Sequence, residues 1–239
     1  MKKFLVSAAL VALSTPAFAA TVSVTSFSKS SYEAAVGSIT QSVIQDFEGS
    51  DIGNVDDGFS TNVGTFASLG GTGSGGTVSD APFSNNGNKL ALRKGDVFGR
   101  VSTTSALTGV ASDDMFLDSN DTFGIVWNVK LVGSKMFDRL VFTITDAAEF
   151  GNALHITTIF GTTIIDSAGG SIKRLVDIDL GQEVSSAVIT LGHFSGDAPV
   201  KNDGFSIDDI AVSEVPLPAS ALFLLGGLGG LALMRRRKS

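Results

Sequence analysis

The chain has 239 residues, with 24 acidic against 17 basic side chains, a net charge of −7 at pH 7, and no cysteine. An acidic surface makes nucleic acid and anionic lipid poor partners and divalent cations natural ones. The lack of thiols excludes disulfides, thiolate nucleophiles and cysteine-ligated metals.

Residues 1–19 read as a secretory signal peptide. Lys2 and Lys3 form its charged start, Phe4 to Leu13 its apolar core, and Ala17-Phe18-Ala19 its small-x-small site, with cleavage expected after Ala19. Residues 20–214 are then expected to form one exported domain of about 195 residues, enough for a sizeable core. Six of the 17 basic residues and none of the 24 acids lie in the two ends of the chain, so this domain sets 24 acids against 11 bases.

Within the domain, Thr21 to Phe27 alternates like a strand, and Ser30 with Glu33 predicts a capping box opening a short helix. Ser42 to Gly49 predicts a strand that ends in two carboxylates, Asp46 and Glu48. Residues 50–88 are rich in Gly, Ser, Asn and Asp and read as a long connection. Beyond it, strands are expected at Lys89–Arg93, Val97–Thr103, Phe123–Lys130, Arg139–Thr145, Leu154–Phe160, Ile172–Leu180, Ser186–Leu191 and Phe205–Ser213. Many short strands joined by Gly-rich turns predict an all-β fold: an antiparallel β-sandwich, jelly-roll-like.

Few residues promise chemistry. The two histidines, His155 and His193, fit no zinc spacing, and there is neither a Gly-x-Ser-x-Gly elbow nor a Cys-His pair, so no enzyme is expected. Asp113, Asp114, Asp118, Asn120 and Asp121 form an acidic loop, but Phe123 occupies the position where an EF-hand needs glycine; a solvated turn is the expectation. Trp127 and Tyr32 are the aromatics suited to stacking on sugar rings, although Trp127 lies in an apolar run that predicts core packing.

The most informative stretch is Asn202 to Ile210, where an Asp-Gly turn leads into a last strand on which Phe205, Ile207 and, past a slip, Ile210 and Val212 can face the core. It resembles the closing strand of exported jelly-roll domains of the lectin and carbohydrate-binding type. That resemblance implies a structural Ca2+ site in which a carboxylate of the last strand joins an acid from an early one. Asp208 or Asp209 with Asp46 or Glu48, and Asp203 in the turn alongside, are the ligands it points to. Calcium takes six to eight oxygens, so backbone carbonyls and water would complete the shell.

Residues 215–239 close the chain. Val215-Pro216-Leu217-Pro218-Ala219 precedes an apolar run to Met234 and then Arg235, Arg236, Arg237 and Lys238. As a helix, Ala219 to Met234 spans roughly 24 Å, enough to cross a membrane if its flanks enter the interface, and the four terminal cations should stay cytoplasmic. This order resembles the VPLPA variant of the PEP-CTERM sorting signals, with Leu217 where the main family has Glu. The resemblance implies a transient inner-membrane anchor, cleavage by an exosortase-type membrane protease, and release to the cell surface or an extracellular polysaccharide matrix. An ordinary single-pass anchor is the alternative for this segment, with Gly226, Gly227, Gly229 and Gly230 serving helix packing. Taken together, the expectation is a non-catalytic exported surface or matrix protein, with a carbohydrate-binding module contacting exopolysaccharide as the alternative.

Overall fold

A computed structural model describes residues 20–71, 89–120, 122–147, 153–159, 161–165, 172–195, 198–199 and 204–215. In chain order the elements are β1 (Thr21–Ser26), α1 (Lys29–Gly37), β2 (Ser42–Gln45), β3 (Gly53–Val55), β4 (Phe59–Thr61), β5 (Gly64–Ser68), β6 (Leu90–Lys94), α2 (Thr104–Thr108), β7 (Met115–Asp118) and β8 (Gly124–Val129). There follow β9 (Phe137–Thr145), β10 (Ala153–Thr158), β11 (Gly161–Ile165), β12 (Lys173–Val184), β13 (Ala187–Ser195), β14 (Ala198–Pro199) and β15 (Ser206–Ser213).

The strands form two antiparallel sheets. The first runs β1-β12-β9-β15-β7-β6-β3, with β2 also on β15; the second runs β11-β10-β13-β8-β5-β4, with β14 on β13. The all-β sandwich expected from the sequence is thus what the chain forms. Each sheet turns one set of alternate residues inward, as the period of a strand requires. On β10, Leu154, Ile156 and Thr158 are buried while Ala153, His155 and Thr157 are only half-buried. Trp127 of the second sheet stacks on Phe66 at 5.6 Å and meets Phe142 of the first edge-on at 6.0 Å, so one indole ties both layers together. Its Nε1 donates to Val63 O at 3.1 Å, which satisfies the single polar atom it buries.

Several local expectations are corrected. The helix is capped by Ser28 rather than Ser30: Ser28 Oγ accepts from Ser31 N, and Ser31 Oγ accepts from Ser28 N. Ser31 thereby takes the role expected of Glu33, which instead lies 3.7 Å from Lys29 one turn away. Val97–Thr103 is not a strand. Val97 and Arg100 make one bridge around a tight turn in which Phe98 and Gly99 have φ of 55° and 92°, and the chain then enters α2 from Thr103. The stretch read as a long connection holds β3, β4 and β5 in its described part. Gly64, which counts as linker by composition, is a packing requirement: a Cβ there would lie 2.1 Å from Asn128 O on the adjoining strand.

Candidate functional site

The site is built on β15, the strand that β2, β7 and β9 all join. Opposite β9, Asp208 pairs with Thr143 and Ala211 with Val141, so two residues of β15 face one of β9 and the strand bulges. Asp209 sits in the bulge with φ of 47°, a left-handed conformation that Asp tolerates better than most residues. The bulge is the expected slip. Before it Ile207 faces the inter-sheet core, and after it Ile210 and Val212 do, whereas Ala211 joins Val141 and Leu175 under Tyr32 on the opposite face.

As a result two successive carboxylates gather under one short segment rather than diverging. Asp208 Oδ2 accepts from Ser102 Oγ at 2.5 Å, Thr104 Oγ1 at 3.0 Å and Thr103 N at 3.1 Å. Asp209 accepts from Thr104 Oγ1 at 2.8 Å through Oδ1 and from Thr103 Oγ1 through Oδ2. Ser102-Thr103-Thr104, three hydroxyls at the entry to α2, thus cover the pair, which is only 1% and 2% exposed. A bulky substrate does not reach carboxylates closed off to that degree.

The covering groups are neutral. Asp208 Oδ1 is buried with no hydrogen-bond partner among the described residues. Burial first, and the charge of Asp209 second, push the Asp208 carboxyl well above the usual carboxylate range, against the hydrogen bonds that favour its ionised form. Asp209 is raised too, chiefly by burial, with Asp46 and Glu48 adding to it. Burial and the charges of Asp209, Asp208 and Asp46 likewise lift the Tyr32 hydroxyl, on the helix above, beyond its ordinary range. Each of these shifts disfavours negative charge in this region.

Asp46 and Glu48 arrive from β2, whose Gln45 pairs with Ile210, so the chain passes Asp209 as it leaves the sheet. Asp46 Oδ1 accepts from Glu48 N at 3.1 Å, and Phe47 between them buries its ring with φ of 59°. Glu48 Oε1 accepts from Met115 N at 2.7 Å. The early and late acids expected to meet therefore share one end of the first sheet. Among the described residues, however, no three His, Cys, Asp or Glu side chains stand as a ready metal-ligating group. Asp203, Ala17, Ala19 and Pro216, Leu217, Pro218 and Ala219 lie outside the described residues, as does Asp121.

A further buried carboxylate, Asp118, corrects the expectation of a solvated turn. Asp118, Ser119 and Asn120 are all fully buried. Asp118 lies 2.5 Å from Arg93 Nε and 3.0 Å from Arg100 Nη1, and Asn120 Oδ1 accepts from Arg93 Nη2 at 2.6 Å. The signal for this cluster was Arg93 in the apolar run Leu90-Ala91-Leu92-Arg93: an arginine within a buried strand requires a buried acid. The aromatics suited to sugars are also resolved. Trp127 is fully buried and Tyr32 packs on Val141, Leu175 and Ala211, while Phe98 at the tip of its strained turn is 70% exposed. No protein-family model matches the chain, and no curated protein is significantly similar to it.

Proposed function

We propose that this chain is a non-catalytic exported protein of the cell surface or extracellular matrix. Residues 1–19 would be removed on export, residues 20–214 would form the jelly-roll-like ectodomain, and residues 215–239 would hold the protein in the inner membrane until an exosortase-type protease reads the signal. The observation that carries this reading is the order of the C-terminal stretch: Val215 to Ala219, an apolar run, and four terminal cations. Past the end of β15, Glu214 N donates to Gln41 O and Val215 N to Met136 O, so the chain stays tied to the sandwich through Val215. A cut beyond Val215 would leave every described strand pair intact. The test is the mass of the mature protein: loss of residues 1–19 and of the segment after the Pro motif is expected, and retention of Ala221 to Ser239 in cells with an active sortase would overturn the reading.

Calcium is the group that Asp46, Glu48, Asp208 and Asp209 would hold. Their donors fit it in kind, being hard oxygens, and in charge, since the buried Asp208–Asp209 pair has only hydroxyls and amides for company. When bound, calcium would neutralise the pair and tie β2 to β15. A ligand that binds only the folded state stabilises it by about 2.7 kcal/mol at a hundredfold excess over Kd. A saturable rise in melting temperature on titrating calcium after EDTA is therefore expected, and its absence would leave the pair as a buried structural feature.

The second reading, a carbohydrate-binding module contacting exopolysaccharide, is favoured by one observation. Phe98 holds a left-handed φ that costs a non-glycine residue roughly 1 kcal/mol, yet its ring joins no core cluster and is 70% exposed, with the Arg100 guanidinium 5.9 Å from its centroid on one side. Such an outlier suits a stacking contact. Glycan binding that is lost in Phe98→Ala would favour this reading, and its retention would remove Phe98 as the contact.

A further inference from the structure

None of the residues in β4, β5, β8, β10, β11, β13 and β14 is Asp, Glu, Lys or Arg, although 17% of the chain is charged. The inner face of this second sheet is core, so an apolar composition is expected there. Its outer face is a different matter, because an antiparallel sheet turned to water ordinarily carries polar and charged side chains. The register places Val126 of β8, Val188 and Thr190 of β13, Thr157 of β10, and Thr162 and Ile164 of β11 on that outer face, in neighbouring rows. Val188 and Ile164 are 43% and 53% exposed. His155 and Phe194 lie stacked on the same face, centroids 5.0 Å apart. The first sheet gives the contrast, since α1 and Leu107 of α2 pack over its outer face.

We infer that the outer face of the second sheet is a self-association surface, meeting the same face of a second copy of this chain. Charge selects the occupant. In a two-fold dimer each patch faces itself, so a patch bearing charge of one sign repels its own copy, and on an acidic protein most surfaces would do so. The uncharged sheet is where two such molecules can approach without that opposition. The face also lacks the carboxylates, ammoniums and guanidiniums that a polar ligand needs, offering hydroxyls, the Asn128 amide and the His155 imidazole. Two such sheets stack about 10 Å apart, as within a sandwich.

The size of the face sets the expected strength. Six strands at about 4.8 Å spacing and about five residues each at 3.3 Å give a footprint of roughly 29 by 17 Å, or about 1,000 Å2 over both partners. That is near the lower limit for a specific interface, so the dimer should be weak, with Kd in the micromolar range. The inference stands independently of the sorting and calcium readings.

The test is sedimentation of the purified full-length protein from about 1 to about 300 µM. A concentration-dependent dimer is expected, and the double variant Val188→Glu/Thr190→Glu should weaken it at least tenfold while shifting the melting temperature by no more than about 2 °C. Thr25→Glu, on exposed β1 of the first sheet, controls for added charge and should leave association unchanged. A monomer throughout the range would overturn the inference. So would association that ignores the double variant, since it would then reside elsewhere, for instance in the C-terminal apolar run.

Discussion

Every Asp, Glu, Lys and Arg of the described strands belongs to the first sheet, from Arg93 and Asp118 to Asp208 and Asp209, while the seven strands of the second hold none. Both sheets contribute alike to the core between them, so the difference arises elsewhere in each layer. On the first, α1, α2 and the segment around Ser102 lie over the sheet and close off charges carried by its strands, each of which must find compensation. On the second no described element packs in that way, and the strands manage with Thr, Val and Ile. The lesson is that burial of charge here follows from the cover on one sheet, and the compensation differs from group to group. Asp118 is answered by two guanidiniums, whereas Asp208 and Asp209 are answered by hydroxyls.

The largest effect should come from breaking the compensated cluster. Asp118→Ala leaves Arg93 and Arg100 buried without the carboxylate between them, and removing one partner of a buried ion pair costs about 3–5 kcal/mol. Urea unfolding of the purified protein measures this. A loss below about 1 kcal/mol would show that the arginines are held by other groups and that Asp118 is not what fixes them.

A titration sharpens the contrast from the other sheet. His193 on β13 is buried beside Phe205, and burial, aided by His155, lowers its pKa to about 4. The folded state keeps the imidazole neutral while the unfolded chain takes up a proton near pH 6.5, so the stability it contributes is present above pH 6.5 and lost as pH falls towards 4. The full loss is roughly 3 kcal/mol. His193→Leu should flatten this acid limb, measured as unfolding free energy against pH. An unchanged limb would assign acid sensitivity to the charged sheet instead.

Much of this arrangement was legible in the sequence, and the misses share a cause. Period-2 patterns found β6, β8, β9, β10, β12, β13 and β15 to within a few residues, and the slip after Ile207 located the bulge, because the core must remain apolar on both sides of Asp208-Asp209. That Asp46 and Glu48 would come near the last strand was what the likeness to jelly-roll domains implied, and β2 does pair with β15 just before them. Strands β3, β4 and β5 were hidden because three to five residues among Gly, Asn and Asp carry too little periodicity to register. The partners of Asp118 were invisible because its arginines lie 18 and 25 positions earlier, and only the tertiary fold brings them together. The hydroxyls of Ser102-Thr103-Thr104 were missed likewise, since a segment read as strand gave no reason to bend over β15.

The smallest expected effect is also the one that decides what the hydroxyl-covered pair does. An acid whose pKa is raised on folding favours the protonated folded state, so its presence costs stability increasingly as pH rises above its unfolded value near 3.9. Asp208→Asn removes that charge and can keep an acceptor for Ser102 and Thr104, at the expense of placing an amide where Oδ1 has no partner. An unpaired buried amide costs about 1–3 kcal/mol and opposes what is gained by removing the charge, so the net change at pH 7 should be small. The direction with pH is the diagnostic quantity. In EDTA, the difference between variant and parent should move in favour of the variant from pH 4 to pH 8, and calcium should stabilise the parent alone. A variant that is destabilised equally at every pH would mean that the hydrogen bonds, and not the uncompensated charge, are what Asp208 contributes. The contrast between the two buried carboxylate clusters would then reduce to one of geometry.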